Sequence, residues 1–204
     1  MTHKAGNINW SYSGKADFLF GNGATAWEKG LVLAGGSLGI LLYLYLFITG
    51  TMDWTWWQYL LAVLIAMDVF AGLVANSLNS CKRFYHTQPK PDEPRYTSFF
   101  KNHFLFVILH VYPLLASLIF GNGNFIYGVF WYFLMIFCAW IIIKTPLYLK
   151  RPVSFLWIAT ALLLNFYLIP GIDGFVWLIP ALFIKILYGY LVQEEPYRPL
   201  NEFD

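Results

Sequence analysis

Long apolar segments constrain the fold of this chain more than any other feature of its sequence. A membrane-spanning helix needs about 20 consecutive apolar residues, and six segments of the chain come close to that length. These segments cover approximately residues 30–50, 55–79, 99–120, 125–148, 153–170 and 172–193. Charged residues make up only 12% of the chain, whereas soluble domains contain about 25%. The sequence therefore predicts an all-α, polytopic membrane protein with six transmembrane helices.

The distribution of basic residues predicts how these helices are oriented. All 13 Lys and Arg residues lie in the N-terminal arm, in or beside two alternate connections, or towards the C-terminal end. The connections on the opposite side contain only Asp53 and Asp173 as charged residues. Basic residues are enriched in cytoplasmic loops, so both termini are expected in the cytoplasm and the protein in the plasma membrane. The extramembrane parts are then a cytoplasmic or interfacial arm (1–29), a Pro-rich basic cytoplasmic loop (80–98) and a cytoplasmic tail (194–204).

Asp68 lies near the middle of the second apolar segment, where an ionisable side chain is costly and usually marks a functional site. Read as a helix at about 100° per residue, the stretch over residues 68–86 places Gly72, Asn79 and His86 within about 40° of Asp68, on one face. The sequence thus predicts a polar, cytoplasm-facing cavity centred on Asp68. The residues predicted to bind a substrate there are Asn76, Asn79, Lys82, Arg83, His86 and, from the sixth segment, Lys185.

The third apolar segment contributes two histidines seven residues apart, His103 and His110, which a continuous helix would place on one face. His110 lies at a depth comparable to that of Asp68. We therefore expect Asp68, His110 and His103 to be coupling or catalytic residues. No cofactor is expected, and the alternative is a divalent metal held by Asp68, His110 and His86. No motif in the sequence brings two metal ligands onto one helical turn.

Three functions are compatible with these residues. The first is a small transporter or permease-like protein, in which Asp68 is the coupling or cation site and a basic vestibule favours an anionic cargo. The second is a membrane-embedded enzyme acting on a lipid or lipid-linked phosphate, with Asp68 and His110 as the acid–base pair. The third is a non-catalytic subunit of a larger membrane complex. The sequence favours the transporter, because it contains none of the catalytic motifs with a known mechanism.

The expected partners follow from the same features. The lipid bilayer surrounds the apolar segments, and an anionic molecule or a lipid headgroup is the expected ligand. A homodimer is expected because six helices enclose only a modest cavity. The small residues of the first segment, Gly35, Gly36, Ser37 and Gly39, form a face suited to close helix packing or dimerisation. The sequence contains no nucleic-acid-binding module, so no nucleic acid is expected.

Overall fold

The computed structural model describes residues 17–89 and 93–193, apart from the side chains of Arg95 and Tyr96. Within this part of the chain every regular element is helical. The α-helices are α1 Ala26–Thr49, α2 Trp56–Ala75, α3 Asn79–His86, α4 Arg95–Lys101, α5 His103–Ile108, α6 Tyr112–Phe120, α7 Phe125–Lys144, α8 Leu147–Leu163 and α9 Leu178–Phe183. Two π-helical segments, Leu164–Leu168 and Ile184–Tyr190, directly continue α8 and α9.

Five helical runs in the described residues are long and apolar enough to cross a membrane. They are Ala26–Thr49, Trp56–Ala75, His103–Phe120, Phe125–Lys144 and Leu147–Leu168. The chain is therefore an integral, multi-pass helical membrane protein, as its sequence predicts. The sixth apolar segment forms only the shorter helix Leu178–Tyr190, because the residues before it form a loop in which Gly174 has a φ of 81°.

The helix predicted over residues 55–79 ends about one turn early, and the chain turns before α3 begins. Asn and Ser are frequent in this stretch, and their side chains compete with the helix for nearby backbone groups. Ser77, for example, donates its hydroxyl hydrogen to the Leu73 carbonyl oxygen, at 2.9 Å. The prediction of one continuous polar face from Asp68 to His86 is therefore wrong.

The helix predicted over residues 99–120 is divided into α4, α5 and α6. Pro113 lies in the first turn of α6. It has no backbone N–H to donate, and its ring would clash with the carbonyl group four residues earlier in a continuous helix. The chain therefore leaves the helical conformation over residues 109–111. His103 precedes this break and His110 lies in it, so the prediction that both share one helical face is wrong.

The connecting segments meet at two opposite ends of the helical bundle. At one end, which we call the loop end, the α1–α2, α6–α7 and α8–α9 connections line a common cavity of about 570 Å³ that includes Asp53 and Asp173. At the other, the basic end, α3 lies close to the start of α8 and the end of the last helix. Lys101 and Lys150 line a cavity of about 300 Å³ there. Acidic and basic connections thus lie at different ends of the described bundle.

The small residues of α1 pack against α2 of the same chain. A Cβ atom at Gly39 would lie 2.8 Å from Ala66, and one at Gly35 would lie 2.9 Å from the Phe70 carbonyl oxygen. Both distances are too short for a normal contact, so only glycine allows the two helices to approach this closely. The face that the sequence suggests for close packing or dimerisation is therefore used between α1 and α2.

Replacing Gly39 by Ala is expected to lower the thermal stability, even though Ala favours a helix. The new Cβ would meet the α2 backbone, and overpacking of this kind costs about 1–3 kcal/mol. Gly30→Ala is the matched control, because no described atom lies within 4 Å of its Cβ position. It should gain up to about 1 kcal/mol from helix propensity. Thermal unfolding in one detergent measures both variants, and equal stability would contradict the close approach of the two helices.

Candidate functional site

An ion pair joins α2 to the π-helical segment that follows α9. The Nζ atom of Lys185 lies 2.5 Å from Oδ2 of Asp68 and 3.1 Å from the Asp68 backbone carbonyl oxygen. The side chain of Lys185 is 3% exposed, whereas that of Asp68 is 50% exposed. The carboxylate therefore lies at the boundary between the packed core and an open space.

Gly72 of α2 and Asn76, which directly follows this helix, accommodate the segment that carries Lys185. Gly72 lies about one helical turn after Asp68, on the same face of α2. A Cβ atom at Gly72 would overlap the Lys185 side chain, so glycine leaves the room that Lys185 needs to reach the carboxylate. One turn further on, the side-chain amide of Asn76 donates to the Lys185 backbone carbonyl oxygen, at 3.3 Å. These contacts fix the position of the ion pair.

Tyr112 contacts both members of the ion pair, and the sequence did not identify it as a site residue. Its hydroxyl group donates to Oδ2 of Asp68 at 2.7 Å, and its ring centroid lies 5.8 Å from Nζ of Lys185. Tyrosine is common at membrane interfaces, so its presence in an apolar segment did not single it out. The signal that could have identified it is Pro113, which predicts a helix break directly beside this side chain.

His110 lies in the same helix break. Its ring centroid is 5.7 Å from that of Tyr112, and its side chain is buried. The Nδ1 atom of His110 lies 2.8 Å from the Phe106 carbonyl oxygen. Because a carbonyl oxygen can only accept, Nδ1 carries the proton and Nε2 of the neutral ring is a hydrogen-bond acceptor. The break between α5 and α6 therefore brings a phenol and an acceptor nitrogen to the level of Asp68.

These residues line a cavity of about 570 Å³, which we call the site cavity. Its polar lining consists of Ser37, Asp68, Asn76, Tyr85, His110, Tyr112 and Lys185. The aromatic side chains in its wall are Phe18, Phe20, Tyr85, Phe100, Phe106 and Tyr112, and aliphatic residues of α1 and α2 form most of the rest. An apolar pocket with a few convergent polar groups is the usual form of a small-molecule site.

A cluster of aromatic rings fills the core at the loop end. This loop-end cluster consists of Tyr43, Trp54, Phe120, Phe175 and Trp177. The ring centroids of Trp54 and Phe120 are 4.6 Å apart, and those of Phe120 and Phe175 are 4.7 Å apart. Trp54 and Phe120 also line the loop-end cavity, whereas no member of the cluster is among the described residues that line the site cavity. The cluster therefore borders the loop-end cavity and not the site cavity.

Lys82 and Arg83 lie at the basic end and bind backbone carbonyl groups. Nζ of Lys82 lies 2.6 Å from the Gly189 oxygen and 2.5 Å from the Val192 oxygen. It thereby caps the end of the last helix, where carbonyl groups lack helical partners. Nε of Arg83 donates to the Asn22 carbonyl oxygen at 3.2 Å. Neither side chain is among the described residues that line the site cavity.

Asn79 and His86 also lie away from Asp68. Asn79 begins α3, is buried, and is likewise missing from the described lining of the site cavity. Nε2 of His86 lies 3.0 Å from the Tyr190 carbonyl oxygen, so it carries the proton and leaves Nδ1 as an acceptor. Nε2 of His103 lies 3.0 Å from that Nδ1 atom and donates to it. The two histidines thus form a pair, which lines the cavity of the basic end.

Stability is expected to fall in mild acid because of His86. Burial, together with His103 and Lys82, lowers the pKa of His86 to about 3. In an unfolded chain the pKa is about 6.5, so the fold favours the neutral ring. This contribution is complete above pH 6.5 and decreases as the pH falls, by about 2 kcal/mol between pH 7 and pH 5. Thermal unfolding at both pH values should show a smaller loss for His86→Gln. An equal loss in both proteins would contradict this assignment.

The three metal ligands suggested by the sequence do not come together. Asp68 and His110 line the site cavity, whereas His86 lines the cavity of the basic end. Over residues 17–89 and 93–193, no group of three or more His, Cys, Asp and Glu side chains could hold a metal ion. Of the predicted site residues, four line the site cavity: Asp68, Asn76, His110 and Lys185. The others are not among its described lining residues: Asn79, Lys82, Arg83, His86 and His103.

Comparison with known proteins adds no further guide to this site. No family model, curated protein or solved structure matches the chain. The function is therefore inferred from the geometry of the ion pair and of the cavity beside it.

Proposed function

We propose that this chain is a small membrane carrier whose substrate site is the site cavity and whose coupling group is the Asp68 carboxylate. The ion pair between Asp68 and Lys185 carries this proposal, because it joins two helices at the wall of an open cavity. A buried charge without a partner is strongly destabilising, so the pair holds the helices together while both charges are present. A proton or a bound cation that neutralises Asp68 would release Lys185 and loosen this contact.

The loop-end cluster supports the proposal because a carrier needs a barrier on one side of its substrate site. In alternating access, one group of helices moves against another around a fixed site. Phe175 and Trp177 of the cluster directly precede α9, and Lys185 follows it. Release of Lys185 would therefore allow α9 to shift and to move these two rings. The ion pair and the barrier are thus connected by one short helix.

We further propose that the carrier crosses the plasma membrane six times, with both termini and the basic end in the cytoplasm. The course of the last helix supports the sixth pass. It begins after Gly174, whose carbonyl oxygen binds the Tyr43 hydroxyl at the loop end, and it ends where Lys82 binds Val192. The positive-inside rule supports the orientation. A reporter enzyme that works only in the cytoplasm should be active when it is fused to the C-terminus, and one that works only outside the cell should be inactive. The reverse result would overturn this topology.

A cysteine in the site cavity tests the carrier mechanism without a known substrate. Ser37 lines this cavity from α1. In a carrier, the thiol of a Ser37→Cys variant should react with a charged, membrane-impermeant reagent added to either side of sealed vesicles. In the double variant Ser37→Cys/Asp68→Asn, the thiol should react with reagent added to one side only. The native Cys81 and Cys138 are buried, and the protein without Ser37→Cys measures their background.

Two results of this experiment would count against the proposal. Labelling from one side only, in both proteins, would show that the cavity does not alternate and would overturn the carrier mechanism. If the thiol is labelled from both sides and Asp68→Asn does not change this, the carboxylate is not the coupling group. Either result is measurable by the mass of the modified protein, so no transport substrate is needed.

One observation favours a second function, a membrane-embedded enzyme acting on a lipid. Nε2 of His110 is an acceptor in the same cavity as the Asp68 carboxylate, and such a nitrogen can act as a general base. Against it, Lys82 and Arg83, which would hold a headgroup, bind backbone carbonyls instead. His110→Gln distinguishes the two functions. An enzyme would lose about 10²-fold or more in lipid turnover, whereas a carrier would keep two-sided labelling of the Ser37→Cys protein.

A further inference from the structure

We propose that the site cavity binds a hydrophobic organic cation, a molecule with an apolar body and one positively charged centre. The transport of this ligand rests on the proposed function, whereas its binding depends only on the cavity. The sequence suggests an anionic ligand because basic residues follow Asp68 along the chain. The contacts around Asp68 favour the opposite charge.

Most hydrogen-bond donors at the ion pair are already engaged, and the ammonium group that carries the one remaining N–H of Lys185 is buried. Lys185 donates to two oxygen atoms of Asp68, and Tyr112 donates its hydroxyl hydrogen to the carboxylate. His110 donates its Nδ1 hydrogen to the Phe106 carbonyl oxygen. An anion that enters the cavity would have to displace one of these bonds or reach the buried ammonium group of Lys185. The most exposed charge that it meets is the carboxylate, which repels it.

The hydrogen-bond acceptors remain available to a ligand. Within the described residues, both side-chain bonds to the Asp68 carboxylate fall on Oδ2, which leaves Oδ1 as an open acceptor. The side chain is 50% exposed, so the carboxylate faces the cavity. Nε2 of His110 is a second acceptor on the same wall. A carboxylate oxygen and a neutral imidazole nitrogen together attract a positive charge.

The aromatic wall adds to this preference. The face of an aromatic ring attracts a cation within about 6 Å of its centroid, most strongly where water is excluded. Tyr112 already makes such a contact, with Nζ of Lys185 at 5.8 Å from its centroid. Phe18 stacks on Phe100 and Phe106 stacks on Tyr190, with centroids 5.6 and 4.0 Å apart, so these rings are held in place. The cavity volume of about 570 Å³ suits a ligand of ordinary drug size.

The position of the cavity explains why the ligand should be hydrophobic. Leu33 and Ile40 of α1, and Leu109 at the helix break, line the cavity and are more than 40% exposed, so we infer that the cavity opens onto the surface of the bundle. In a membrane such side chains face hydrocarbon, so the cavity wall is continuous with the lipid-facing surface. A cation dissolved in the bilayer could therefore reach Asp68 from the side, without crossing the basic end.

Two probes of the same shape and opposite charge test this proposal. Tetraphenylphosphonium and tetraphenylborate each present four phenyl rings around a single charge. Their binding to the full chain in nanodiscs of zwitterionic lipid is measured by equilibrium dialysis, and empty nanodiscs give the membrane partitioning to be subtracted. We expect the cation to bind at least about tenfold more tightly than the anion. Asp68→Asn should weaken cation binding by at least about tenfold, and Asp53→Asn, at the loop end, should leave it unchanged.

Equal or tighter binding of tetraphenylborate to the unmodified protein would overturn the proposal, whether or not the Asp68→Asn variant folds. Unchanged cation binding in a folded Asp68→Asn variant would also overturn it. These results are separable from those of the thiol-labelling experiment. Cation-selective binding without two-sided labelling of Ser37→Cys would leave a binding protein that is not a carrier. Two-sided labelling without cation selectivity would leave a carrier for another class of ligand.

Discussion

The Lys185→Met variant is expected to lose about 1.5–3 kcal/mol of unfolding free energy at neutral pH, because it removes charge-assisted hydrogen bonds from a half-exposed carboxylate. The substitution leaves the Asp68 carboxylate charged but removes the ammonium group 2.5 Å away. Methionine is unbranched and flexible, so it can fill most of the space beside Gly72 that the lysine stem occupies. The loss should therefore come from the missing charge more than from a cavity. The loss of unfolding free energy is measured by denaturant titration of the protein in a mild detergent, with tryptophan fluorescence as the signal for unfolding.

The double variant Asp68→Asn/Lys185→Met is the matched control for this prediction. It removes both charges, so no unpaired charge remains, and most of the lost stability should return. Together with the single Asp68→Asn variant it forms a double-mutant cycle, which gives the interaction energy of the two side chains. If the double variant is as unstable as Lys185→Met alone, the loss comes from packing, and the ion pair does not hold α2 to the last helix.

Phe175→Ala is expected to cost about 3–5 kcal/mol of stability and to open the barrier at the loop end. The Phe175 side chain is 0% exposed, and its ring packs against those of Trp54 and Phe120. Its removal leaves a cavity within the loop-end cluster, which in the proposed carrier is the barrier on that side of the site cavity. In a Ser37→Cys background, the thiol should then react faster with an impermeant reagent added on the loop-end side.

Val176→Ala provides the control for Phe175→Ala, because Val176 is the next residue and is 47% exposed. Its effect on stability should stay within about 0.5 kcal/mol, and its labelling rate should match that of the parent protein. A Phe175→Ala protein that is less stable but no more reactive would show that the loop-end cluster is core packing without a barrier role.

The location of the site could be predicted from the cost of charge in a membrane. Asp68 and Lys185 both lie within apolar segments, and each needs a partner of opposite charge or access to water. The structure satisfies both needs by pairing them at the edge of a cavity. The same reasoning selected Asn76 and His110, which line that cavity as well. The segments long enough to cross a membrane could be recognised for the related reason that hydrocarbon admits few charges.

The path of the backbone between these residues could not be predicted with a helical projection. A projection assumes a continuous helix, and two short breaks are enough to invalidate it. The turn before α3 and the break before Pro113 move His86 and His103 away from Asp68 and into contact with each other. The same break brings Tyr112 to the carboxylate. Pro113 and the Asn- and Ser-rich stretch over residues 76–80 were the local signals of these breaks, but neither shows where the chain goes next.

The pairing of Asp68 with Lys185 also has an electrical consequence. Moving one elementary charge across a membrane potential of 100 mV involves about 2.3 kcal/mol. The empty site carries one negative and one positive charge, so its rearrangement would be nearly indifferent to voltage. With a monovalent cation bound, the same rearrangement would move a net charge. A membrane potential that is negative inside would then favour the cytoplasm-facing state of the cation-loaded protein, but not of the empty protein. An electrical recording should therefore show charge movement only when a cation is present.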